Sequence, residues 1–337
     1  MRHLSCPVCR NRLFFENGHC TMCGTDVVFD LRTLEMKACG EAFSRCANRG
    51  RCGCNWTARE AGGLCLSCGL TETIPPVDDP VQLRRWADVE AAKRRLIYDL
   101  SRLELAPWPL VSADHPLAFR ILVSEEHGGS GKVVMGHEDG LITIDATEAD
   151  THRREARRVK LGEPYRTLLG HMRHETGHYL WDLLFELDGF ADAFRRLFGD
   201  ERADYGAALE RHYAQGAPSD WHDAHISSYA TMHPWEDWAE TFAHYLHMRD
   251  GLETARDSGL IAPERLAAAG PDIRSEIGAW IELAIFMNTM SRGLGHGDAY
   301  PFVIPGPVRD KLAFIDTWIA KLATGAPGRS PASGRAA

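Results

Sequence analysis

His174, Glu175 and His178 form an H-E-x-x-H pattern within the run from Arg173 to Trp181. Residues four apart lie one turn apart on one helix face, so both imidazoles can reach a single metal ion. A glutamate beside the first histidine can then take a proton from a water that the ion activates. That is the chemistry of a zinc hydrolase, most often a peptidase. The competing explanation is a chance match in a chain with 16 His. The flanks weigh against chance: Leu168, Leu169, Met172, Leu180, Leu183 and Leu184 carry an apolar helical stripe through the motif. Two histidines buried on such a helix need a partner, because unpaired polar groups are costly to bury.

A catalytic zinc site takes three protein ligands, and the motif supplies two. Leu184 stands where a longer H-E-x-x-H-x-x-G-x-x-H motif would place a third histidine. The missing ligand is expected from the segment Pro234 to His247. Pro234 suits the first position of a helix with an acidic first turn. Glu236 and Glu240 share a face there. Glu236 is the expected ligand and Glu240 the carboxylate that orients a ligand histidine, with Glu240 and His244 as alternative ligands. Trp235, Trp238, Ala239, Phe242 and Ala243 surround the pair, which argues against an ordinary solvated face.

The E-x-x-x-E order resembles gluzincin peptidases, in which the first carboxylate binds zinc and the second supports a histidine. Tyr229 lies seven residues before Glu236, and the Tyr-x6-Glu-x3-Glu run resembles the lethal-factor branch of the gluzincins. That resemblance implies that the Tyr229 hydroxyl stabilises charge developing in the transition state. His233 is the alternative for that role, and a core tyrosine with its hydroxyl at the surface is the structural reading.

All ten Cys lie between Cys6 and Cys68. Cys6, Cys9, Cys20 and Cys23 form C-x2-C-x10-C-x2-C, two knuckles that complete a closed four-cysteine zinc site. Cys65 and Cys68 form a further knuckle. Its expected partners are Cys46 and Cys54, with Cys39 or Cys52 as alternatives. A redox C-x-x-C lacks the surrounding βαβ pattern it would need. The start of the chain has no apolar stretch of signal-peptide type, so the pairs are read as metal ligands and the protein as cytoplasmic. No stretch of about 18 apolar residues suggests a membrane span.

The chain has 337 residues, 44% of them hydrophobic, and a net charge of −9. Residues 1–75 hold nine Lys/Arg against seven Asp/Glu, a net of +2, leaving 29 against 40 elsewhere. Strong nucleic-acid binding is not expected from so small an excess. Docking of a protein, or simple zinc stabilisation of a domain too small for a core, is favoured for the cysteine module.

The expected fold class is α+β and mainly helical. A Cys-rich zinc-ribbon module spans 1–70, a zincin-like metallopeptidase domain 71–324, and a Pro/Gly/Ser/Ala-rich disordered tail 325–337. Residues 71–76 read as a linker and 79–104 as a helix. Strands are predicted over 119–124, 132–135 and 141–145, separated by turns at Gly128-Gly129 and Gly136. Resemblance to zincin peptidases, which place such a small sheet before the active-site helix, implies an edge strand that pairs with an extended substrate, and the segment 140–145 is the candidate. Helices are predicted at 190–214, 234–250 and near 271–291.

The tandem knuckles, Cys54-Asn-Trp, the run from Arg166 to His178, the run from His233 to Glu240, and Asp298 to Phe302 together resemble a bacterial family of zinc-binding metallopeptidases with an N-terminal zinc ribbon. The resemblance covers roughly residues 4–305. It implies a gluzincin-type fold, a cytoplasmic enzyme acting on a peptide or protein, one catalytic and two structural zinc ions, and no particular substrate. Two other classes remain open. One is a nucleic-acid-associated protease targeted by its ribbons; the other is a non-catalytic zinc-binding interaction protein, against which the intact Glu175 argues.

Overall fold

Phe119 and Ile121 alternate with less buried neighbours on one strand, and Ile142 and Ile144 do so on another. In the computed structural model all four side chains are fully buried in one sheet. The structure describes residues 2–107, 110–111, 116–124, 133–161, 163–261 and 273–325. By its contacts the chain divides into two compact units. One contains residues 1–102 and 116–172, the other residues 103–115 and 173–337. Among the described residues no helix is long and apolar enough to cross a membrane.

The first unit begins with small elements set by the cysteines. Strands β1 (Leu4–Ser5) and β2 (Arg12–Leu13) pair antiparallel, as do β3 (Val27–Asp30) and β4 (Glu35–Ala38). Strand β5 (Ser44–Arg45) pairs with β6 (Thr57–Ala58), with the single-turn helix α1 (Arg49–Cys52) between them. Helix α2 (Leu66–Gly69) completes the cysteine-rich part. Phe15, Phe29 and Trp56 pack with Tyr98, whose ring centroid lies 5.4 Å from that of Phe15. Tyr98 belongs to the long helix α3 (Pro80–Arg102), which buries Trp86, Val89, Leu96, Ile97 and Leu100. On its other buried positions, Lys93 pairs with Glu90 at 2.9 Å, and Glu90 also accepts from Thr71. The pairing lets two charges sit in the interior without an unmatched one.

Thr71 is not in a linker. Strand β7 (Thr71–Thr73) runs parallel to β8 (Ala118–Leu122), and the sheet order is β7-β8-β10-β9, with β9 (Gly136–Glu138) and β10 (Leu141–Asp145). Strand β10 therefore lies inside the sheet. It is parallel to β8, with Ile142 opposite Phe119, and antiparallel to β9. The expected substrate edge at 140–145 is corrected on this point: both ladders of β10 are taken. Val133–Met135 form no strand, while Lys132 and the Gly128-Gly129 turn lie outside the described residues, as does the tail from 326. Helix α4 (Thr151–Leu161) follows, and α5 (Leu168–Phe185) carries the chain across the division after Met172.

The second unit is helical. The expected helix at 190–214 is two helices, α6 (Phe190–Phe198) and α7 (Tyr205–Gln215). Gly199 ends α6 with φ +105°, a conformation open to glycine and strained for other residues. Phe190, Phe194 and Phe198 recur every four residues and face Trp238 of α8 (Pro234–Asp257). Helices α9 (Ile273–Gly293) and α10 (Gly306–Thr324) follow among the described residues. Lys311 of α10 donates to Asp237 at 2.6 Å and to the Ala224 carbonyl at 2.8 Å. This buried pair anchors the first turn of α8.

Candidate metal centre

Two helices bring the predicted ligands together, all within the second unit. On α5, the Nε2 atoms of His174 and His178 lie 3.2 Å apart. On α8, Glu236 Oε2 lies 3.0 Å from His174 Nε2 and 3.5 Å from His178 Nε2. A tetrahedral zinc with bonds of about 2.0–2.1 Å separates its ligand atoms by about 3.3 Å, so the triangle has the size the ion needs. Glu236 is 2% exposed, and its Oε2 is a buried atom with no hydrogen-bond partner among the described residues. Such an orphaned carboxylate oxygen, facing two imidazole nitrogens, fits a cation.

The surrounding groups orient this triangle. His174 Nδ1 donates to Glu240 Oε1 at 2.7 Å, which turns the Nε2 lone pair toward the centre; the tautomer follows from the hydrogen-bond network. Ser227 Oγ donates to Glu240 Oε2 at 2.6 Å. Tyr205 donates its hydroxyl to Glu236 Oε1 at 2.9 Å. Ser227 and Tyr205 were not anticipated from the sequence. Trp235 packs its ring 3.8 Å from that of His178, centroid to centroid.

Charge in the cluster is strongly perturbed. Burial alone would raise Glu236, but the nearby His174 and His178 imidazoles hold its carboxyl well below the usual range. Burial would likewise lower His174, and Glu236 and Glu240 together outweigh it, holding the imidazole well above its ordinary value. Glu175 is buried, and that burial raises its carboxyl above the usual range against the opposing pull of His174 and His178. Tyr229 is raised, first by burial and then by the Glu236 charge. Its ring lies 6.1 Å from that of His174, and its hydroxyl interacts with that of Tyr205.

The alternatives sit elsewhere. His244 Nδ1 pairs with the Tyr300 hydroxyl at 2.8 Å and is not in the ligand cluster. His233 caps α8: its Nδ1 accepts from Trp235 N and its Nε2 donates to the Ala203 carbonyl. Both ring nitrogens are thereby committed.

In the first unit, Cys6, Cys9, Cys20 and Cys23 converge, with Sγ separations of 3.6 Å for Cys6–Cys23 and for Cys9–Cys20. Cys46, Cys54, Cys65 and Cys68 form a second, buried cluster, in which Cys54 and Cys65 are 3.5 Å apart. Zinc–sulfur bonds of about 2.3 Å place tetrahedral sulfurs about 3.8 Å apart, so both clusters are close to ion-holding size. Cys39 and Cys52 belong to neither cluster.

Two four-cysteine clusters followed by a histidine–carboxylate triad define a zinc-binding protein with a ribbon module. Over residues 82–318 the chain matches, and belongs to, the family described as "Putative zinc-binding metallo-peptidase". Residues 3–79 match a zinc-ribbon domain. Uncharacterized proteins of Mycobacterium bovis and of two strains of Mycobacterium tuberculosis are each 44% identical to it over 349 aligned positions, covering 99% of both chains. No solved structure matches.

Proposed function

We propose that the protein is a zinc-dependent peptide-bond hydrolase with a zincin-like, gluzincin-type catalytic domain. The observation that carries this reading is the convergence of His174 Nε2, His178 Nε2 and Glu236 Oε2 within 3.0–3.5 Å of one another. These three side chains would hold one zinc. Bound there, zinc supplies a Lewis acid and a lowered water pKa, from about 15.7 toward about 7. Glu175 accepts the proton of the attacking water and returns it to the leaving amine. Tyr229 donates to the oxyanion of the tetrahedral intermediate. Glu240 keeps His174 oriented.

The two cysteine clusters hold structural zinc in this reading. None of the ten cysteines is in a disulfide, which suits a reducing cytoplasm. The ribbon docks a protein in preference to nucleic acid, since the net charge of +2 over residues 1–75 gives little counterion release.

The test is turnover of a proteome-derived peptide library, with zinc measured in each preparation. Glu175→Gln should keep its zinc and lose about 10²–10⁴-fold in cleavage, the usual contribution of a general base. Equal cleavage at equal zinc content would assign the activity to a contaminant and leave a zinc-binding interaction protein.

A further inference from the structure

Tyr205 is the first residue of α7, and Glu236 stands in the first turn of α8, 31 positions later. The two carboxylate oxygens of Glu236 have different surroundings. Oε2 faces the imidazoles of His174 and His178, and Oε1 accepts the Tyr205 hydroxyl at 2.9 Å. The starts of the two helices are also tied together. His233 donates from Nε2 to the Ala203 carbonyl, just before α7, and accepts from Trp235 N at the start of α8. The rings of Tyr205 and His233 pack at 5.4 Å. Asp204 caps α7 through Ala207 N at 2.9 Å. The helix starts that carry Tyr205 and Glu236 are thus fixed on both sides of the bond between them.

We infer that Tyr205 is a positioning residue that makes Glu236 a one-oxygen ligand, by occupying Oε1 so that only Oε2 is offered to the ion. The inference rests on the metal-centre reading above. A carboxylate free at both oxygens can chelate through both and fill a coordination position. With Oε1 engaged, that position stays open for water and substrate, which a catalytic zinc site requires. The same bond fixes the rotamer of Glu236 before the ion arrives. Tyr205 also interacts with the Tyr229 hydroxyl, so the proposed ligand and the proposed oxyanion donor share one support.

The experiment uses full-length protein treated with a mild chelator until two zinc ions per chain remain in the cysteine clusters, then titrated with cobalt(II). The visible cobalt spectrum distinguishes four from five coordination. Tyr205→Phe should bind zinc about 10–100-fold more weakly in a chelator competition, the usual size of an outer-sphere effect. Its cobalt spectrum should move toward the weaker absorption of a five-coordinate ion. Tyr213→Phe, at an exposed tyrosine of the same helix, should leave both readouts near the parent. If Tyr205→Phe matches the parent in affinity and spectrum, Tyr205 does not position the ligand and the metal centre stands. If the parent takes up no cobalt beyond the cysteine clusters, the metal centre itself falls, and this inference with it.

Discussion

A Cβ built on Gly177 would lie 3.0 Å from the Cα of Ala239 and 3.2 Å from the Phe242 ring. Gly177 sits between the two motif histidines on α5, and Ala239 lies one turn past Glu236 on α8. The two ligand-bearing helices therefore meet backbone to backbone, and Trp238 Nε1 seals the contact by donating to the Gly177 carbonyl at 2.8 Å. Gly177→Ala gains about 1 kcal/mol of helix propensity, but the added carbon meets main chain, and overpacking costs about 1–3 kcal/mol. The expected outcome is a lower Tm together with weaker zinc binding, because separating the helices widens the ligand triangle. A variant with raised Tm and unchanged zinc affinity would show slack between α5 and α8.

Glu236 and Glu240 should respond differently to the same change. Glu236→Gln removes an anionic ligand oxygen and should abolish zinc binding at this centre. Glu240→Gln leaves the ligands in place and loosens only the orientation of His174, so affinity should fall about 10–100-fold. A zinc titration with the order reversed would make Glu240 the ligand.

The features legible in the sequence were those with short, fixed spacings. The i, i+4 histidines, the paired carboxylates on α8 and the cysteine knuckles each place their donors on one local element. Tyr205 and Ser227 were not legible, because they reach Glu236 and Glu240 across 31 and 13 positions, between elements that carry no shared period. Sheet order was missed for a related reason. A five-residue strand such as Leu141–Asp145 has the same alternation at an edge as in the interior, and only the pairing with β8 and β9 decides.

Two four-cysteine clusters and one His–His–Glu cluster imply about three zinc ions per chain. Cys20→Ser should release one ion. Cys65→Ser should release one and also lower stability more, because the second cluster is buried and Cys68 lies against Glu90 of α3. Metal analysis of the purified variants, with thermal melts alongside, reads both effects. Retention of all three ions in Cys65→Ser would mean that Cys52 or Cys39 replaces it.

His244 gives the protein an acid-sensitive interior. Its side chain is buried on α8, with Nδ1 on the Tyr300 hydroxyl, and burial pushes its imidazole down to about 4. The Glu240 charge pulls it upward and Arg173 pushes it further down, neither enough to offset burial. His247, beside Trp280 and Tyr300, is lowered to about 3, again chiefly by burial. In the unfolded chain both titrate near 6.5. Between pH 6.5 and 4 the unfolded state therefore binds more protons than the folded one, and stability rises with pH across that window. Neutral His244 costs nothing above pH 6.5, and acidification progressively favours unfolding. From His244 alone the loss approaches about 3 kcal/mol by pH 4. The measurement is Tm against pH for the parent and for His244→Gln, which keeps a polar partner for Tyr300 but cannot titrate. Loss of zinc from the histidine site on acidification acts on both proteins alike, so the difference between the two profiles isolates His244. The variant should show a shallower fall from pH 6.5 to 4, and parallel profiles would rule out His244 as the group that resists protonation.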